Sequence, residues 1–171
     1  MKEILLRWGI PSYVTNIISP VPVQAQLTIP IAKTIPQQIG YIFGMNIYTD
    51  SADPNNDTLI SYPEAQNLYM VLKDGPTEFF QLMRLDSLVN TIAGFPNVNP
   101  DSYTEVAIPG NFDLSTSYYQ NPAGVVSTIE PAVSKTIMLQ MWFVSTESYL
   151  WLMKKGVIDA SYAEQFIRSK R

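Results

Sequence analysis

The chain has 171 residues, 11 Lys and Arg against 15 Asp and Glu, a formal net charge of −4, and neither Cys nor His. Its length fits one domain, and 46% hydrophobic with only 15% charged residues is the reverse of the composition that keeps a chain disordered. The missing residues exclude disulfides, thiolate nucleophiles and zinc–sulfur sites, and with them every Ser-His-Asp or Cys-His arrangement and imidazole metal ligand. An enzyme here would be confined to carboxylates, Lys, Tyr or Ser. Paired-carboxylate hydrolysis stays open, but nothing in the pattern selects two acids from the 15, so no enzyme and no cofactor is expected. Val, Ile and Thr number 12, 17 and 12, a β-branched content that favours strands.

Residues 1–20 read as an N-terminal arm, with Ile4, Leu5 and Trp8 on an amphipathic turn before the bend at Gly9 to Pro11. Glu3 and Arg7 interrupt its apolar stretch, so a secretory signal peptide is not expected. No apolar run approaches the ~20 residues a spanning helix needs. Gly40 and Gly44 have the wrong spacing for a phosphate-binding loop.

In 21–31, Val21, Val23, Ala25, Leu27, Ile29 and Ile31 alternate with polar residues and prolines, which predicts a half-buried strand. Pro22 and Pro30 place it at a sheet edge. Residues 39–49 predict a second strand, with Gly44 marking a bulge. Leu68 to Lys73 and Glu78 to Arg84 flank Asp74-Gly75-Pro76-Thr77, a hairpin signal. A strand over Tyr103 to Ile108 is followed by a long loop from Asn111 to Pro122, and then a short strand over Val125 to Ile129. Ile137 to Val144 is apolar on both faces, as expected of a central strand.

After Ser145 the period lengthens to that of a helix. Glu147 to Lys155 carries an acid in its first turn and Lys154 and Lys155 in its last, matching the helix dipole, with Gly156 just beyond. Ser161 and Glu164 form a capping box for a second helix ending at Arg171. About eight strands with regular turn signals predict an all-β fold, a single antiparallel β-sandwich or jelly roll. The expected layout is an arm over 1–20, a sandwich over 21–145 and a C-terminal helical extension over 146–171.

Three features bear on function. Asp53, Asn55, Asp57 and Glu64 occupy the first, third, fifth and twelfth positions of a segment that resembles an EF-hand calcium loop. Thr58 stands where that loop has Gly, however, and the residues before it read as strand. The other reading is a polar turn rich in Asp and Asn. Next, residues 154–171 hold 5 basic and 2 acidic groups against 6 and 13 in residues 1–153. Lys154, Lys155, Arg168, Lys170 and Arg171 therefore suit an anionic partner, or simply decorate helix ends. Finally, Tyr118 and Tyr119 are expected on the loop after Asn111, where they would either stack on sugars or anchor a protein, or pack over a sandwich end. Trp8, Trp151 and Phe166 sit on terminal elements too short for cores of their own, so they must pack on the body or on another copy.

The arm, the strand-rich body with proline-rich loops and the helical tail resemble the jelly-roll capsid proteins of small icosahedral viruses. Asn67 to Phe80, followed by Arg84 to Leu88, is similar in style to the strand pairs of tailless bacteriophage capsid proteins. The resemblance implies a shell-forming subunit of the virion, trimeric as a major capsid protein or pentameric at a vertex, with no catalytic residues. Its partners would be copies of itself and other capsid proteins, joined through edge strands and arms. The basic tail would face the viral genome or an internal membrane. A carbohydrate-binding β-sandwich, using Tyr118, Tyr119 and calcium at Asp53 to Glu64, is the alternative.

Overall fold

The computed structural model describes residues 1–31, 38–50, 59–74, 77–78, 83–93, 102–109, 114–127 and 135–158. In chain order these form helix α1 (Lys2–Trp8), strands β1 (Tyr13–Pro20), β2 (Thr28–Pro30) and β3 (Ile39–Asp50), and helix α2 (Tyr62–Ala65). Strands β4 (Tyr69–Val71), β5 (Lys73–Asp74), β6 (Thr77–Glu78), β7 (Met83–Arg84), β8 (Val89–Ala93), β9 (Thr104–Pro109), β10 (Tyr118–Gln120) and β11 (Thr136–Ser145) follow, and helix α3 (Thr146–Lys154) comes last.

β3 organises the molecule. Its 12 residues are buried except for half-buried Tyr48, the mark of a strand covered on both faces. On one side it pairs antiparallel with β11, which in turn pairs with β1. Its other side is shared by β9, antiparallel over Tyr41 to Met45, and β8, parallel over Ile47 to Asp50. The sheet is therefore mixed, which corrects the expectation of a wholly antiparallel sandwich. A second sheet of four antiparallel strands runs β2-β10-β4-β7, and β5 and β6 close a separate small hairpin.

One apolar core joins the two sheets. Ile17, Ile42, Met45, Ile47, Leu139 and Met141 from the first meet Ile29, Met70 and Tyr119 from the second. A smaller cluster lies on the far face of the first sheet, where Tyr41, Phe43, Trp142 and Val144 pack against Leu5 of α1 and Tyr149 and Leu152 of α3.

Two irregularities in β3 make that double burial possible. Trp142 pairs with Gly44 and Phe143 with Ile42; Val144 pairs with Tyr41 and Ser145 with Ile39. Phe43 and Gly40 are thus extra residues, each a bulge that shifts the alternation by one. Between the bulges Tyr41 and Phe43 turn to the helices, while Ile42 stays in the inter-sheet core.

The strand pairs are nested. β1 pairs with β11, β2 with β10, β3 with β9 and β4 with β7, and successive pairs alternate between the two sheets.

Several expectations change. Residues 13–20, assigned to an arm, form an eight-residue strand of the first sheet. The alternating stretch 21–31 is a strand only at Thr28–Pro30, and Val23 and Leu27 are exposed. The strands at 39–49, 103–108 and 137–144 lie where expected, within a residue or two, as do the hairpin around Asp74 and the helix after Ser145, whose side chain caps Ser148 N–H. Part of the loop placed at Asn111 to Pro122 is β10. Residues 125–127 are not strand. The second C-terminal helix expected from Ser161 lies outside the described residues.

Candidate assembly surface

The helical face is built from the two short helices. α1 presents one fully buried residue, Leu5, to the sheet. Gly9, at φ 62°, ends the helix and turns the chain toward β1. α3 begins directly at the end of β11, with Ser145 as its N-cap, and buries Tyr149 and Leu152.

Between helices and sheet lies an aromatic layer. Tyr41 stacks on Tyr149 with ring centroids 5.4 Å apart, and Tyr103 lies 4.8 Å from Trp142 and 5.9 Å from Phe43. The Lys2 ammonium sits 5.1 Å from the Tyr103 ring and 5.3 Å from that of Trp142, within cation–π range. Burial first, and then the nearby Glu105 carboxylate, push the Tyr103 phenol above its ordinary pKa. Tyr103 covers Gly44 so closely that a Cβ there would strike its ring.

Several large apolar side chains on the outer side of the layer stay exposed. Trp8 is 50% exposed and meets half-buried Trp151 edge-on at 5.5 Å. The Lys155 ammonium lies 5.6 Å from the Trp151 ring. Leu6 is 81% and Leu150 55% exposed, and Ile4 is also open to solvent. Large apolar side chains thus stay open to solvent on both short helices. An apolar cleft of about 240 Å³ opens nearby, lined by Met1, Tyr41, Ala107, Pro109, Tyr149, Val157 and Ile158.

The structure thus brings together Trp8, Trp151 and Lys155, with Lys154 exposed one residue earlier on the same helix end. Phe166, Arg168, Lys170 and Arg171 lie outside the described residues. Val14 and Ile18, the outward residues of β1, fall within the stretch 1–20 that reads as an arm, so neither is among the contact residues expected from the sequence. The β-branched run Val14, Thr15, Ile17 and Ile18 is the signal that finds this strand.

The other candidates fare differently. Tyr119 is completely buried in the inter-sheet core, and burial pushes its phenol far above the ordinary value. Neighbours on a strand point to opposite faces, so an exposed Tyr118–Tyr119 pair is not formed. Tyr118 is half-buried, with the Lys73 ammonium 5.2 Å from its ring. Of the calcium-loop residues, Asp53, Asn55 and Asp57 lie outside the described residues. Glu64 belongs to α2, where its Oε2 accepts from Ser61 N–H at 2.8 Å and its Oε1 from Lys135 Nζ at 2.6 Å. Both oxygens serve internal contacts, and no cluster of acidic metal ligands occurs among the described residues.

The chain matches no protein-family model, no curated protein and no solved structure.

Proposed function

We propose that this chain is a non-catalytic structural subunit of a virus shell, a jelly-roll capsid protein that self-associates through its helical face and sandwich edges. The observation that carries the reading is the nesting of strand pairs. With β5–β6 as an insertion and β8 and β9 sharing one edge of β3, eight strand positions pair first with last and inward to the middle. A long antiparallel hairpin rolled so that its rungs alternate between two sheets is the double Greek key of jelly rolls, the domain of viral capsids and also of lectins. The parallel β8 does not belong to that plan.

Fold alone does not choose between shell and lectin; the surface favours the shell. Exposed Leu6, Trp8 and Leu150 suit burial against protein, whereas the carbohydrate alternative loses its aromatic pair to the burial of Tyr119. The partners in this reading are copies of the chain and other capsid proteins within a virion. Lys154 and Lys155 begin a basic C-terminal stretch, continued by Arg168, Lys170 and Arg171, suited to the viral genome or an internal membrane.

The test is the molar mass of the full chain by light scattering after size exclusion, with electron microscopy of the same fractions. A trimer, a pentamer or closed particles is expected. Trp8→Lys combined with Leu150→Lys should break the assembly into smaller species without changing its circular dichroism. A wild-type monomer at every concentration, or saturable glycan binding by that monomer, would overturn the reading.

A further inference from the structure

We infer that β1 pairs with β1 of a second copy across a two-fold axis, in the antiparallel register that sets Asn16 opposite its own counterpart. The inference deepens the assembly reading above and rests on it for self-association. Among the described residues, β1 is the end strand of the first sheet. A sheet's end strand presents a row of backbone donors and acceptors, and proteins ordinarily blunt it with charges, prolines, bulges or short length.

β1 has little of this protection. It spans eight residues, and its register with β11 runs without a break from Tyr13 opposite Phe143 to Pro20 opposite Thr136. No charged residue occurs from Gly9 through Pro30, and the strand's only proline is its last residue. Its outward apolar residues stay open, Val14 at 54% and Ile18 at 59% exposure. The other terminal strands are shorter: β2 has three residues and ends in Pro30, β7 has two and carries Arg84, β8 has five, and β9 has six, with exposed Glu105 and a closing Pro109.

The second copy is named as occupant because the strand is its own complement. Val14 and Thr15 on one side of Asn16 and Ile17 and Ile18 on the other make a β-branched pattern symmetric about that residue. With Asn16 on the axis, Val14 falls opposite Ile18 twice on the outward face, and Thr15 falls opposite Ile17 on the core side. A slip of one residue would send the outward pairs against the wrong face. Placing Val14 on the axis would leave Ile18 without a cross-strand partner. Such a contact is isologous and closes at two copies, joining both first sheets into one.

The absence of native Cys makes the test direct, because a single introduced thiol can bridge only to another copy. In the inferred register the two Asn16 Cα atoms lie about 4.5–5.5 Å apart, inside the span of a disulfide. The two Val14 positions are offset by four residues, roughly 13 Å. Under mild oxidation Asn16→Cys should form a disulfide dimer and Val14→Cys should stay monomeric on a non-reducing gel. Val14→Lys with Ile18→Lys, read by light scattering, should lose the two-fold association while keeping native circular dichroism. If Asn16→Cys stays monomeric and the double Lys variant still associates, the β1 contact is wrong while the assembly reading stands. If the wild-type chain does not associate at all, both fall.

Discussion

Gly40 shows how much of this structure turns on single positions. It is one of the two extra residues of β3, and it lies where strand and helix are closest. A Cβ there would sit 2.7 Å from both the Ser145 carbonyl oxygen and the Thr146 nitrogen, and would also strike the Thr146 Cα. The obstacle is backbone, not a side chain that can rotate away, and Thr146 N–H is itself held by the Gln38 carbonyl at 3.2 Å. Gly40→Ala must therefore pry the start of β3 from the β11–α3 junction, an overpacking strain of about 1–3 kcal/mol. Urea unfolding should show a lower midpoint with an unchanged slope; a wild-type midpoint would mean that the junction has room to spare. Gly44 could be suspected as a bulge marker from the sequence because Gly inside an aromatic, β-branched run asks for a reason. The extra residues themselves, Phe43 and Gly40, were hidden, since a phase shift shows only against a partner strand. For the same reason Tyr118 and Tyr119 could not be sorted, one inward and one half-covered, until β10 had a sheet to belong to.

At the level of elements, the sequence was readable where burial on both faces or a cap left a strong local mark, and misleading where isolated bonds replaced the ladder. β3, β11 and α3 belong to the first group. The stretch 21–27 belongs to the second: its alternation is real, but its backbone is held at scattered points, by Lys135 and Ser127 at Val21 and Pro22 and by the buried Asn121 at the other end. Asn121 N–H donates to the Leu27 carbonyl at 2.8 Å, and its side-chain amide donates to the Gln26 carbonyl at 3.0 Å. Alternating hydrophobicity does not distinguish that arrangement from a sheet. α2 is a further case, a four-residue helix that would be marginal alone. It stands on a capping box between Ser61 and Glu64 and on the contact of Glu64 with Lys135, which is 9% exposed at the entrance to β11. Lys135→Met keeps the aliphatic stem and removes the charge, and should cost about 1–3 kcal/mol. Glu64→Gln should cost a similar amount, because it leaves a largely buried ammonium without its carboxylate. The double variant should recover part of the loss, since neither charge is then stranded. A double-mutant cycle measures this as a coupling energy, expected near 0.5–3 kcal/mol. A coupling of zero would reduce Glu64 to a helix cap and nothing more.

For the molecule as a whole, composition and strand density were enough to expect a β-rich sandwich, but not the order of its strands. Pairing between Tyr13 and Phe143 leaves no trace in a local window, and neither does the parallel placement of β8. The nesting that hid the topology also governs how the chain folds. β1 has no sheet partner among the described residues except β11, and β11 reaches the sheet through β3. Closing the β3–β11 pair spans a shorter loop than closing β1–β11, so it is expected first, and its loop-closure entropy is spent before those contacts reward it. Folding dominated by such distant pairings runs in milliseconds to seconds, and the rate-limiting step should already contain β3–β11. Leu139 lies on β11 opposite Ile47 and is fully buried between the sheets. Leu139→Ala, which should cost about 2–5 kcal/mol, is expected to act mainly by slowing refolding. Leu152→Ala removes a comparably buried residue from α3, which docks on a face that exists only after β3 and β11 have met. That variant should act mainly by speeding unfolding. Stopped-flow fluorescence across a urea series separates the two, because the buried Trp142 reports on the β3–β11 register itself. If Leu139→Ala left the refolding rate untouched while accelerating unfolding, the central pair would have to form late, and the local β4–β7 pair of the second sheet would have to lead.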